Sequence, residues 1–431
     1  MHTKEHPRNS LFGMNWNPAN VTLVIMLTLL FLIFLFLFLT LTAQPALGQT
    51  LNVLYSFGAG SDEFPFGLTM DAKGNLYGAT YYGGGIFKLS RGGSGWVLTT
   101  LYSFQGGDDG VLPEAGVIFG PSGILYGTTS AGGSQGCSGN GCGTVFSLRP
   151  PPTVCKAVSC PWTETVLYRF TGALDGCTPN ADLLLDRAGN LDGTAAACGS
   201  AGGGTVFQLN PSGGGWTLNV LHSFSWGTDG GAPSGGLLSD QSGNLYGVTQ
   251  YGGSPYNGGI VYGLTPSGSG WTETVLHVFQ GAPDGGCPLG GLIFDRSGNL
   301  DGTTSSRGPG GDGTVFELTP GGAGWTLSVL YSFVGSGGNG PCGPGSATNL
   351  VMDTSGNLYG TTESAGAYGN GNVFKLTPSN GSWVYTSIHD FSGHDGMYPT
   401  SNLILDATGN IYGTTIYGGA YGAGVIWEIT P

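Results

Sequence analysis

From Leu51 to the C-terminus, short apolar runs alternate with Gly-rich polar stretches. The runs are rich in aromatic and β-branched residues and are bounded by Gly and Pro, which predicts strands. Four runs recur in fixed order. Run A reads like Gly291-Leu292-Ile293-Phe294-Asp295, and a turn Arg296-Ser297-Gly298-Asn299 follows, whose Gly can take the left-handed conformation of a tight hairpin. Run B is Leu300 to Thr304, run C Thr314 to Pro320 and run D Trp325 to Phe333. Run D is apolar on both sides, as in Ser328-Val329-Leu330-Tyr331-Ser332-Phe333, which suits a sheet packed on both faces.

Gly-Asn-Leu-Tyr-Gly, or a near variant, begins at Gly74, Gly123, Gly189, Gly243, Gly298, Gly356 and Gly409, at spacings of 49, 66, 54, 55, 58 and 53. The longest interval carries an insertion from Pro150 to Pro161. Four strands repeated at a period near 55 predict a β-propeller, because the coils of a parallel β-helix are much shorter. The phase of the repeat predicts closure. Leu51 to Phe57 is a D run with no A, B or C before it, whereas the last unit has A (Asn402–Asp406), B (Ile411–Thr415) and C (Val425–Thr430) but no D. The expected fold is all-β: a seven-bladed β-propeller of four-stranded antiparallel blades over residues 49–431, closed by its N-terminal strand.

Composition narrows the class further. Gly supplies 85 of 431 residues, about three times the usual share, and charged residues only 9%. That much Gly argues against helices, and 11% aromatics argue against disorder. The net charge of −14 excludes a nucleic-acid partner, which needs a basic face.

Residues 1–48 carry Lys4 and Arg8, an apolar run over 21–41, and the small-residue pattern Ala46-Leu47-Gly48. This is the layout of a signal peptide cleaved after Gly48. The run is also long enough for an N-terminal membrane anchor, the alternative. Either way the rest of the chain is expected to be exported. Its eight cysteines are then expected in disulfides: Cys137–Cys142 and Cys155–Cys160 across short loops, Cys177–Cys198 within one unit, and Cys287–Cys342 as the remainder. The close pairs lack C-x₂-C spacing and a nearby His, so no metal is expected, and no cofactor either.

The repeated blocks Gly356–Thr362, Gly371–Pro378 and Leu101–Phe104 resemble the bacterial GloVer (Gloeo/Verruco) tandem repeat of "choice-of-anchor" surface proteins, over residues 51–431. The resemblance implies an exported bacterial protein and carries no catalytic motif.

Candidate sites follow from the topology. The D–A and B–C loops should share one propeller face and the A–B and C–D turns the other. Asp-Gly-x-x-Pro recurs in five D–A loops, at Asp109, Asp175, Asp229, Asp284 and Asp395. These carboxylates could ring the channel mouth and bind a cation or sugar hydroxyls, but a turn-building role is favoured, because the motif repeats with the blade. Asp192 and Asp301 replace the run-B Tyr in two units, at a position expected to be lined by solvent. His222, His277 and His389 stand where other D runs carry Tyr, and read as structural. Gly132–Gly136 matches G-x-S-x-G without the strand-to-helix context of a nucleophile elbow. The function expected is a non-catalytic, monomeric surface binder or scaffold with a glycan or protein ligand. The alternative is a secreted enzyme acting on polysaccharide at the loop-rich face. An enzyme should concentrate its irregular polar residues in one sector of that face, and a binder should spread them.

Overall fold

A computed structural model describes residue 26 and residues 49–431, apart from 59–63, 94, 134–135, 153–160, 269, 323 and 335–348. Twenty-eight strands form seven four-stranded antiparallel sheets, the blades of a β-propeller. Blades 1 to 6 run A-B-C-D over residues 65–103, 118–169, 184–223, 231–278, 293–334 and 351–390. Blade 7 takes its A, B and C strands from Ile404–Leu405, Ile411–Thr415 and Val425–Thr430, and its D strand from Thr50–Ser56. Thr50 pairs with Thr430 and Ser56 with Val425, so the first strand closes the ring as expected.

Each repeated motif has a local cause. In blade 3, Asp186 Oδ1 accepts from the backbone N–H groups of Ala188 and Asn190, and its Oδ2 accepts from Asn190 Nδ2, all at 2.8 Å. Gly189 sits between them at φ +88°, where a side chain would be strained. Together these contacts explain the recurring Asp-x-x-Gly-Asn. The Gly of Leu-Tyr-Gly is required by the next strand: a Cβ on Gly127 would lie 2.6 Å from Phe146 Cζ, its cross-strand partner's ring.

The core is divided among the seams between blades. The Phe that ends each D run packs on the strand-C aromatic of the following blade, as in Phe104–Phe146 at 4.9 Å and Phe170–Phe207 at 5.1 Å between centroids. All seven seams carry such a pair, and the closing seam uses Phe57–Phe87 at 5.6 Å. Each aromatic pair contributes about 0.5–1.5 kcal/mol beyond its buried area.

Strand A is shorter than run A predicts. In blades 2, 3, 5, 6 and 7 it has two residues, such as Ile293–Phe294. The chain enters it from a left-handed residue ahead of proline: Phe64, Leu112, Thr178, Ala232, Cys287 and Tyr398 have φ between +52° and +59°. Such residues cost of order 1–3 kcal/mol each and need fixed surroundings. Thr178 finds them by donating its N–H to the Cys142 carbonyl of the preceding blade (3.0 Å) and accepting from Ala196 N–H (3.1 Å). This joins the entry of strand A to the preceding blade, while blades 1 and 4 carry the same left-handed residue and keep strands A of six and nine residues.

Disulfides pin the same loops in blades 2 and 3. Cys137–Cys142 and Cys177–Cys198 form as expected, with Cα atoms 5.3 and 5.4 Å apart. Cys287 is also disulfide-bonded. Cys155, Cys160 and Cys342 lie outside the described residues, and so does the expected signal or anchor segment apart from Met26. No helix among the described residues is long and apolar enough to cross a membrane.

Candidate functional site

Backbone bridges Val111–Ala131, Cys177–Ala197, Gly286–Ser306 and Met397–Tyr417 tie D–A loops to B–C loops, so these loops share one face. That face opens into a central funnel holding a cavity of about 220 Å³. One residue per blade, four positions before the A–B turn, sets the funnel's character. It is Gly67, Gly116, Gly236 and Gly291 in four blades, but Asp182, Asn349 and Asn402 in the others. Those three side chains staple neighbouring blades. Asp182 accepts from Gly116 N–H (2.7 Å) and Asn349 from Gly291 N–H (2.5 Å). Asn402 accepts from Leu68 N–H (2.8 Å) and donates to its carbonyl (3.0 Å).

Glu114 and Glu363 add two more carboxyl groups to the lining. Burial pushes the acids of Glu114, Asp182 and Glu363 above the ordinary carboxylate range, and single bonds from Ser130 and Gly116 only partly oppose it at Glu114 and Asp182. Two further oxygens of lining residues, Asn180 Oδ1 and Thr400 Oγ1, are buried without a hydrogen-bond partner. A site of this kind offers acceptors and hydroxyls from several directions to a polar ligand.

A chain of aromatic rings leads away from the funnel across blades 1 and 7. Phe66, which lines the cavity, lies 6.1 Å from Tyr81, and Tyr81 lies 4.8 Å from Tyr82. Phe64 follows at 5.1 Å, Tyr417 at 4.7 Å and Tyr398 at 5.9 Å. Tyr82 is 67% exposed and Tyr417 40%, so the track offers open ring faces to solvent.

The five D–A aspartates are placed elsewhere. None lines the funnel; each binds within its own loop. Asp175 Oδ2 accepts from Tyr168 Oη (3.0 Å) and Thr171 N–H (2.8 Å), and Asp109 takes the corresponding bonds from Tyr102 and Gln105. Asp284 lies 2.7 Å from His277 Nε2, Asp395 2.8 Å from His389, and Asp229 3.6 Å from His222. The D-strand Tyr or His and the loop Asp are therefore one device. Their constant separation, seven residues in four blades and six in the last, was the available signal.

Asp192 and Asp301 depart from expectation. Instead of lining solvent they are buried, each 1% exposed. Burial pushes Asp192 up to about 7, opposed by a hydrogen bond from Gln208. Burial pushes Asp301 up to about 8, with Glu317 across the strand and Asp295 adding to the shift.

The family model of the Gloeobacter/Verrucomicrobia repeat matches residues 152–293 and 253–431. None of the curated proteins matches the chain in sequence. Among solved structures, a streptogramin B lyase superposes with a TM-score of 0.56 at 13% identity, over 89% of this chain and 97% of the lyase. Virginiamycin B lyase from Staphylococcus aureus does so at 0.54 and 15%, over 89% and 99%. An extracellular domain of a hybrid two-component system from B. thetaiotaomicron reaches 0.54 at 11% identity, over 88% of this chain and 39% of that one. At these identities the likeness is one of fold.

Proposed function

The chain belongs to the Gloeobacter/Verrucomicrobia repeat family, and we propose that it is an exported, non-catalytic propeller that binds a neutral glycan on its funnel face. The aromatic track from Phe66 to Tyr398, with Tyr82 and Tyr417 exposed beside the funnel, carries this reading. Tyr rings present apolar faces to sugar C–H groups and keep a hydroxyl for hydrogen bonds. The net charge of −14 favours uncharged polymers over polyanions. The disulfides suit an oxidising compartment. The protein acts as a monomer, and its five D–A aspartates shape the loops of the face.

The irregular polar residues support binding over catalysis by their spread: Glu114, Asp182, Glu363 and Asn402 come from blades 2, 3, 6 and 7. One of the solved lyase structures is a catalytically inactive histidine-to-alanine variant with quinupristin. Among the described residues, no histidine lines the funnel here. The second reading, a polysaccharide-cleaving enzyme, draws on Glu114 and Glu363, whose raised acids suit proton donation.

Neutral and charged polysaccharides and peptidoglycan, presented as an array to the purified protein with product analysis in parallel, test both. Retention of neutral glycans, lost on Tyr82→Ala with Tyr417→Ala, is expected. Released oligosaccharides would replace the binding reading with the enzymatic one, and no retention of any glycan would overturn both.

A further inference from the structure

A second cavity lies on the opposite face, in the seam between blades 3 and 4. It measures about 580 Å³ and is lined by Asp186, Asp192, Gln208, Asp240, Pro266 and Trp271, with exposed Arg187 at its rim. The repeat explains why it exists. In five blades the corresponding strand-B residue is Tyr77, Tyr126, Tyr246, Tyr359 or Tyr412. Two of these show what a tyrosine does at the seam: Tyr126 meets Trp216 of the next blade at 6.2 Å, and Tyr246 meets Trp325 at 6.3 Å. Trp271 is the matching tryptophan of blade 4. In blade 3 it faces Asp192, and the volume of a tyrosine ring is left open.

Asp192 is also held by a network found in this blade alone. Asn219 Nδ2 donates to Asn210 Oδ1 (2.5 Å), Asn210 Nδ2 to Gln208 Oε1 (3.0 Å), and Gln208 Nε2 to Asp192 Oδ1 (2.9 Å). At the place of Gln208 the other blades have Lys88, Ser147, Gly263, Glu317, Lys375 and Glu428, so none can build this relay. The relay fixes which amide hydrogen meets the carboxylate, and it supplies no positive charge. No ion pair with a described residue neutralises Asp186, Asp192 or Asp240. A buried carboxylate without a cation is costly, and a ligand bearing one relieves that cost.

We propose that this seam cavity is a binding site for a small organic ammonium ion, seated with its charge on Asp192 and its body against Trp271. The aromatic wall suits a cation through the ring quadrupole. A bare metal ion fits less well: the only described group of three or more ligating residues converging on one point is Cys137, Cys177 and Cys198, so the three aspartates do not converge.

Cyclohexylamine and cyclohexanol, a charged and a neutral probe of nearly one shape, test the site by ligand-observed NMR and calorimetry on the full chain at pH 7.5. Cyclohexylamine should bind at least tenfold more tightly than cyclohexanol. Asp192→Asn, which keeps the volume and removes the charge, should weaken it at least tenfold. Asp192→Tyr, which restores the residue of five other blades and is therefore compatible with folding, should abolish binding. Equal affinity for the two probes, an unchanged affinity in Asp192→Asn, or no binding of either probe by a folded chain would each overturn the proposal. Glycan retention on the funnel face is a separate readout, so failure here leaves that reading standing.

Discussion

The seam between blades 2 and 3 and the seam between blades 3 and 4 follow one plan and carry different strand-B residues. In the first, Tyr126 packs on Trp216, and the cavity of about 480 Å³ beside that tryptophan is lined by the D strand of blade 2 and the C–D turn of blade 3, with no carboxyl group. In the second, Asp192 leaves a cavity beside Trp271 and brings a buried carboxyl group with it. The aromatic pairs beneath are alike, Phe170–Phe207 at 5.1 Å and Phe224–Tyr262 at 5.1 Å. Stability therefore resides in what the blades share, and chemistry in what one blade alone carries. The funnel departs from the repeat as well, since Asp182, Asn349 and Asn402 stand where four blades have Gly, but there the odd side chains also staple neighbouring blades.

The comparison breaks most severely if the ring is opened. A chain lacking residues 49–57 loses the D strand of blade 7 and Phe57 from the closing seam. It leaves Val425–Thr430 as an exposed apolar edge. Thermal melts should fall by about 10 °C or more, and size-exclusion chromatography should show oligomers. An unchanged melt and a monomeric peak would mean that the blades stand without closure.

Asp301 sharpens it on a smaller scale, because blade 5 has the same Tyr-to-Asp change as blade 3 but sets Glu317 opposite. Its folded-state acid is raised from 3.8 to about 8. A raised acid contributes stability that is present below the unfolded value and lost as pH rises through the folded one. Wild-type stability should thus decline between pH 4 and 8. Asp301→Asn should remove part of the decline, leaving the variant more stable at pH 8 by a few kcal/mol. Denaturant titrations across that range measure it, and parallel curves for the two proteins would contradict it.

The smallest effect belongs to the shared scaffold. Asp284→Ala removes the partner of His277 and of Gln280 N–H. It should cost about 1–2 kcal/mol and leave ligand binding on either face unchanged. Loss of glycan retention in this variant would move the D–A aspartates from scaffold to site.

Much of the fold was legible because repetition states each rule seven times. Strand order, blade number, closure by Leu51–Phe57 and the Cys177–Cys198 bond all follow from phase and spacing. The length of strand A did not, because it runs from two to nine residues among blades that enter it through the same left-handed residue ahead of proline. The candidate sites were less legible for the same reason. Asp192 was visible as a replaced Tyr, but its burial depends on Trp271, far along the chain and in the next blade. Glu114 and Glu363 occupy loop positions at which no other blade carries a carboxylate, and only the curvature of the ring brings them to one funnel.

Thermal unfolding of Asp192→Tyr tests most directly whether departures from the repeat are paid in stability. Tyrosine would fill the cavity, pack on Trp271 and place its hydroxyl near Asp186, as Tyr246 does with Asp240 at 3.2 Å. It would also remove a buried carboxyl whose acid lies at about 7. The melting temperature should rise by about 2–5 °C at neutral pH. A fall would show that Asp192 is a structural member of blade 3, and that the seam is not a site set aside from the scaffold.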